Sequence, residues 1–160
     1  MSLVVRVLFV CLGNICRSPM AEAIFRKIVD DENLSDKIHV DSAGTGSWHV
    51  GAPPHEGTRH ILDEKNISYE GQIARQVHVG DWDTFDYIIA MDDQNMKDLN
   101  KIQQEDKHVV VRKLMDFVEH PKEINVPDPY FTGDFNYTYE LVSNGCQHLL
   151  QHIKEQHHLN

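Results

Sequence analysis

Cysteine is scarce in this chain: three residues among 160, at positions 11, 16 and 146. They are too few and too unevenly placed for a disulfide scaffold, and the pattern fits a reducing compartment. Positive charge is scarce as well. Lys and Arg number 15 against 25 Asp and Glu, a net charge of −10, which argues against a broad basic face for nucleic acid but says nothing of a local cationic pocket. No apolar run approaches the ~20 residues of a membrane-spanning helix. The first such run, Leu3–Val10, is broken by Arg6 and leads straight into a polar loop, unlike a signal peptide. A cytoplasmic location, with neither membrane nor nucleic acid as partner, is therefore expected. Repeats, low-complexity segments and linkers are also lacking, so one domain over residues 1–160 is expected. Among the eleven histidines none sits in a C-x-x-C or H-E-x-x-H arrangement. His148 and His152, spaced i, i+4, fall on an amphipathic terminal helix and read as solvated surface, so no metal and no cofactor are expected. A Walker-type G-K-[ST] ending and a G-x-G-x-x-G fingerprint are both missing.

What is present is alternation. Strand-like runs recur at Val4–Val10, Ile38–Asp41, Tyr87–Met91 and Val109–Leu114, separated by segments with helical apolar spacing. Helices are predicted from Pro19, with Ala21, Ile24, Phe25 and Ile28 on one face, near His55–Lys65, from Asp92-Asp93, and over Phe135–Ile153 with Leu141, Leu149, Leu150 and Ile153 facing in. Such alternation implies an α/β fold whose parallel sheet has helices on both faces. Right-handed crossovers then favour a doubly wound, flavodoxin-like arrangement of four strands in the order 2-1-3-4. The irregular stretches Ala43–Pro54 and Phe117–Asn136 are the expected walls of a site, since long loops in compact domains are usually functional.

The most informative passage is Cys11-Leu12-Gly13-Asn14-Ile15-Cys16-Arg17-Ser18-Pro19. Cys11 ends the first strand, the position at which open α/β sheets bind ligands. Gly13 and Asn14 tolerate positive φ best, which lets consecutive backbone N–H groups turn inward as an anion nest. Ser18 reads as an N-cap and Pro19 as a first helical residue, aiming the positive end of a helix at the loop. Arg17 adds a planar fork that matches two phosphoryl oxygens. The same positive surroundings favour the thiolate of Cys11, the attacking form. A departing oxygen needs a proton, and Asp128, held between Pro127 and Pro129, is the candidate general acid.

The run V-C-L-G-N-I-C-R-S-P-M-A-E resembles the signature of the low-molecular-weight protein tyrosine phosphatases. Asp41-Ser42-Ala43-Gly44-Thr45, Ala74-Arg75-Gln76, Phe85-Asp86-Tyr87-Ile88 with Met91-Asp92, and Val126-Pro127-Asp128-Pro129-Tyr130 follow in that family's order. The resemblance implies hydrolysis of phosphotyrosine monoesters through a cysteinyl-phosphate intermediate, with Cys11 as nucleophile, Arg17 on the phosphoryl group, Asp128 as acid and base, and no metal. Ser18 would steady the Cys11 thiolate as it leaves. Leu12, Gly13, Asn14, Ile15 and Cys16 would form the substrate-binding loop. Trp48, Tyr130 and Phe131 would wall the cleft, with Ile15 as an apolar rim. Behind them, Ser42 would hydrogen-bond Asn14, and Asp92 would orient Arg17 unless it merely caps the third helix. Implied partners are tyrosine-phosphorylated proteins or small aryl phosphates, with inorganic phosphate as product and a monomer or weak homodimer as assembly. Cys11 and Cys16 are close enough in sequence to pair reversibly on oxidation, which would shield the nucleophile; Cys146 reads as core.

Two departures from the pattern stand out. Phe131 occupies a place where a second tyrosine is frequent, and Gln72 one where many relatives carry histidine, so a bond from there to the Asn14 network would come from an amide. Three rival readings follow. A phosphoarginine phosphatase would carry a small polar threonine where this chain has Ile15. An arsenate reductase of this fold needs further cysteines near residues 80–90, where this chain has Asp81-Trp82-Asp83-Thr84-Phe85. A phosphate-binding module without turnover would not require Cys11, Arg17 and Asp128 together.

Overall fold

A computed structural model describes residues 4–103 and 108–159. Leu3, counted in the first apolar run, lies outside them. The central strand β1 (Val5–Cys11) leads into α1 (Arg17–Asp31), and β2 (Ile38–Gly44) follows. After these come α2 (Glu56–Glu64), the short α3 (Asp81–Thr84), β3 (Tyr87–Ala90), α4 (Asp93–Asn100) and β4 (Val110–Lys113). A 3₁₀ turn over Leu114–Phe117, the short α5 (Pro129–Thr132) and the long α6 (Phe135–Gln156) complete the chain. The sheet is parallel in the order β2-β1-β3-β4, as the alternation required. Because β1 pairs with both β2 and β3, its carboxyl end sits where the strand order reverses, and Cys11 stands opposite Gly44 at that end. Strand β2 runs on to Gly44 rather than stopping at Asp41, because Ser42, Ala43 and Gly44 continue the ladder beside Phe9, Val10 and Cys11.

Both faces of β1 are covered, which is why its sequence is an almost unbroken apolar run rather than an alternation. Val5, Val7, Phe9 and Cys11 face a core shared with Met20 and Phe25 of α1, Ile61 and Leu62 of α2, and Leu141, Leu149 and Ile153 of α6. Leu8 and Val10 face the other way, onto Trp82 of α3 and Leu99 of α4. Phe9 and Phe25 meet edge to face, their ring centroids 5.4 Å apart. Full burial of each such side chain is worth about 1.5–3 kcal/mol, so this double-sided burial is what fixes β1, and hence Cys11, at the centre of the molecule.

Several local expectations are corrected. Helix α1 begins at Arg17 with Cys16 at the cap position, not at Pro19 with Ser18 as cap. The Ser18 hydroxyl is engaged by Cys11 and Asn14 instead of by helix amides. Pro19 then falls inside the first turn, where its missing N–H costs nothing. Gly13 does not adopt positive φ; Asn14 does, at 57°. The stretch 117–136 is not wholly irregular, since Asp128 caps α5 by accepting from the Tyr130 N–H. His152 is no simple surface residue: its ring packs on the edges of Phe117 and Tyr87. His148 is exposed as expected. Among the described residues no cluster of three or more His, Cys, Asp or Glu is arranged to hold a metal ion, and no helix is long and apolar enough to cross a membrane.

Candidate active site

The carboxyl end of β1 opens into a cleft of about 200 Å³. Leu12, Gly13, Ile15 and Cys16 form its floor around Cys11, and Trp48, His49, Asp128, Tyr130 and Phe131 form its walls. Among the described residues, the backbone N–H groups of residues 13–17 donate to no protein acceptor, while three of the loop's carbonyls are taken. The Leu12 carbonyl accepts from Gly46 N–H at 2.9 Å, that of Ile15 from His55 N–H at 2.7 Å, and that of Cys16 from the Thr58 hydroxyl at 3.1 Å. Carbonyls bonded outward leave amides turned inward, which is the local requirement for an anion cradle. Gly44 lets β2 come this close: a Cβ there would lie 2.9 Å from the Leu12 carbonyl oxygen.

A chain of side-chain hydrogen bonds sets the orientation of Ser18, the neighbour of Cys11. Asn14 Oδ1 accepts from Arg75 N–H at 3.0 Å, so its amide nitrogen must point the other way. That nitrogen donates to Ser18 Oγ at 2.8 Å and to Ser42 Oγ at 2.9 Å. Ser42 in turn donates to Glu22 Oε1 at 2.6 Å, and Glu22 Oε2 is paired with Arg26 at 2.7 Å. An ionised Glu22 only accepts, so every proton in the series has a fixed direction. The Ser18 hydroxyl, already accepting from Asn14, has two acceptors for its one proton, Cys11 Sγ at 3.0 Å and the more distant Ala43 carbonyl at 3.5 Å, and the nearer is Cys11; the Ser18 N–H adds a longer contact to the sulfur of 3.4 Å. The expected Asn14–Ser42 bond is thus present. Gln72 is a further correction: its amide donates to the Pro19 carbonyl at 3.0 Å and does not enter the Asn14 series.

Arg17 is 2% exposed, the largest of the wholly enclosed side chains. Nη1 donates to Asp92 Oδ2 at 2.6 Å and to the Val126 carbonyl at 2.9 Å, and Nη2 to Asp128 Oδ2 at 3.2 Å, while the buried Nε has no partner among the described residues. Burial opposes its charge, but Cys11, Asp128 and Asp92 outweigh that and raise its pKa. Asp92 fills both roles considered for it, since its Oδ1 accepts from Asn95 N–H at the start of α4. At Cys16, burial, reinforced by Cys11 and Asp128, pushes the thiol from 9.0 up to about 12. It is a neutral thiol at ordinary pH. Cys146 is wholly buried, its thiol also pushed up by burial alone.

The residues expected at the site from the sequence, 11–18, Trp48, Asp128, Tyr130 and Phe131, with Ser42 and Asp92 behind them, therefore lie in or directly behind one cleft. Sequence reasoning missed three. His49 lines the cleft against Gly13, where a Cβ would come within 2.9 Å of its ring, and His55 meets the edge of Tyr130 with ring centroids 5.9 Å apart. The signal for His49 was its adjacency to Trp48; His55 had none beyond its place ahead of α2. Glu22 carried a detectable signal, a carboxylate among Ala21, Ala23 and Ile24 on the buried face of α1.

Comparison with known proteins bears on the family of this chain. Residues 6–159 match the model of the low molecular weight phosphotyrosine protein phosphatases. The chain is 50% identical over 155 residues to the low molecular weight protein-tyrosine-phosphatase YfkJ of Bacillus subtilis, covering 97% of this chain and 99% of that one. The YfkJ crystal structure superposes with a TM-score of 0.93 over 96% of each chain. PtpA of Staphylococcus aureus, another low molecular weight protein-tyrosine-phosphatase, is 47% identical over 149 residues, 93% of this chain and 94% of its own. A Drosophila arginine phosphatase is similar too, with 36% identity and a TM-score of 0.86 over 92% of this chain and 97% of its own.

Proposed function

Because the chain belongs to the low molecular weight phosphotyrosine protein phosphatase family, we propose that it hydrolyses phosphotyrosine monoesters in proteins in two in-line displacements. The observation that carries this reading is the meeting of Cys11, Arg17 and Asp128 around a row of unpartnered amides in one apolar-walled cleft. The phosphoryl oxygens would take the loop amides, Arg17 Nε and, in place of Asp128, Arg17 Nη2. The carboxyl of Asp128 is then released toward the leaving oxygen. In the first step the Cys11 thiolate forms a bond to phosphorus, the bond to the aryl oxygen breaks, and Asp128 gives that oxygen its proton. In the second, water attacks phosphorus, Asp128 takes a proton from the water, and the phosphorus–sulfur bond breaks to release inorganic phosphate. The returning thiolate is met by the hydroxyl of Ser18. Arg17, the amides and the N-terminus of α1 supply the positive charge, and the reaction so written needs neither metal nor cofactor.

The aromatic and aliphatic walls, Trp48, Tyr130, Phe131 and Ile15, favour an aryl ester, in a protein or as a small aryl phosphate. Likeness to an arginine phosphatase keeps phosphoarginine as the competing substrate. The test is initial rates, with EDTA present, on p-nitrophenyl phosphate and on phosphotyrosine, phosphoserine and phosphoarginine peptides, for the wild type and Cys11→Ser. Turnover of phosphotyrosine that is lost in the variant is expected. Activity confined to phosphoarginine would transfer the assignment to that substrate, and absence of any turnover would leave a phosphate-binding module. Gel filtration distinguishes a monomer from a weak homodimer.

A further inference from the structure

The apolar surface does not end at the wall of the cleft. A second cleft, about 310 Å³ in volume, opens on the other side of Trp48, lined by Leu12, Trp48, Val77 and Ile102, with Thr45 in its lining and Lys101 at its rim. Leu12 and Trp48 line both clefts. Trp48 is thus a partition, and at 72% exposure one held in place by little except its support. That support is Gly46, where a Cβ would fall 1.7 Å from the indole, so the ring lies directly on the glycine backbone. The backing is firm, because Thr45 N–H bonds the Cys11 carbonyl and Gly46 N–H the Leu12 carbonyl, both at 2.9 Å.

The chemistry of the second cleft differs from that of the first. Its cation, Lys101, stands 3.8 Å from Asp98, which also lines the cleft and offsets its charge. An acidic occupant therefore gains little, whereas Leu12, Trp48, Val77 and Ile102 offer contact to an apolar one. An extended peptide projects residues two apart to the same side, roughly 7 Å from each other. That spacing suits two clefts divided by one indole ring.

We propose that the cleft behind Trp48 is a specificity subsite for a large apolar side chain two residues from the phosphotyrosine in a protein substrate. The proposal rests on the phosphotyrosine reading above. The experiment compares kcat/KM for p-nitrophenyl phosphate, free phosphotyrosine, and phosphotyrosine peptides with alanine throughout or leucine placed two residues before or two after the phosphotyrosine. Wild type and Ile102→Glu are measured together. One leucine peptide should exceed the alanine peptide by about ten-fold in the wild type. That advantage should vanish in Ile102→Glu, while p-nitrophenyl phosphate turnover stays unchanged. Equal rates on all three peptides in the wild type, or a leucine advantage that survives Ile102→Glu, would overturn the subsite and leave the phosphatase reading intact. Failure to hydrolyse free phosphotyrosine and every peptide would overturn both.

Discussion

Asp128 divides its two oxygens between a helix cap and Arg17. Oδ1 accepts from Tyr130 N–H at 3.1 Å to start α5, and Oδ2 faces Arg17 at 3.2 Å. Asparagine caps helices as well as aspartate but cannot pass a proton. Asp128→Asn should therefore leave the circular dichroism spectrum unchanged while lowering kcat on phosphotyrosine by about 10²–10⁴-fold; an unchanged kcat would remove Asp128 from the mechanism. Glu22 acts at a distance through Ser42 and Asn14. In Glu22→Gln the amide can donate as well as accept, and the fixed direction of the series is lost. Weakening the Ser18–Cys11 bond by about 1 kcal/mol corresponds to roughly five-fold in kcat. Stopped-flow burst kinetics should place that loss in phosphoenzyme breakdown, and a loss confined to KM would contradict it. The three cysteines should also separate by chemistry. Cys16 is neutral, its thiol raised to about 12, and Cys146 is buried and raised as well. Iodoacetamide at pH 7 is thus expected to inactivate the protein with one label, on Cys11, readable by peptide mass spectrometry.

Among the secondary-structure elements, α6 shows how little room close packing leaves. Gly145 in its middle abuts the 3₁₀ turn: an added Cβ would lie 2.5 Å from Leu114 Cγ and 2.8 Å from its Cδ2. Leu114 is itself wholly buried and has little space into which to move. Although alanine is the better helix former by up to about 1 kcal/mol, overpacking at about 1–3 kcal/mol should dominate. Gly145→Ala is expected to lower the melting temperature by several degrees; a melt at or above the wild-type value would show that the turn yields freely. Element boundaries also show where local sequence misleads. Ser18-Pro19 has the chemistry of a helix start, yet α1 begins earlier at Arg17, because the serine hydroxyl finds Cys11 and Asn14 in its reach once the loop has folded. Asp92 was open to two readings from sequence, and its two oxygens satisfy both.

At the scale of the whole molecule, stability should respond to alkaline pH. Cys16 is raised from 9.0 to about 12 chiefly by burial, Cys146 is raised by burial, and Tyr87 is raised by burial with help from Asp86. Tyr137 is raised to about 12, chiefly by its hydrogen bond to Glu123. For each, the unfolded chain gives up its proton at a lower pH than the folded one. Folding stability is then fully present below about pH 9 and is lost as pH climbs from about 9 towards about 12. Urea midpoints at pH 7, 9 and 10.5 should fall in that order, less steeply in Cys16→Ala; a flat series would contradict the buried-thiol account. The acidic balance of the chain belongs to this scale too, since a −10 molecule presents its fixed cation, Arg17, from inside a cleft rather than on a face. The sequence by itself determined the alternation of strands and helices, the strand order and the nucleophile loop at the end of the central strand, because apolar period, loop chemistry and crossover handedness are all local or nearly so. It also marked Cys11, Arg17 and Asp128, whose side-chain types the proposed reaction requires. Only the tertiary structure decided which protons point where around Ser18, that Glu22 and Arg26 anchor that series, that Gln72 bonds Pro19, and that Trp48 divides two clefts. These depend on contacts between segments far apart in the chain, down to tenths of an ångström, and no local pattern carries such distances.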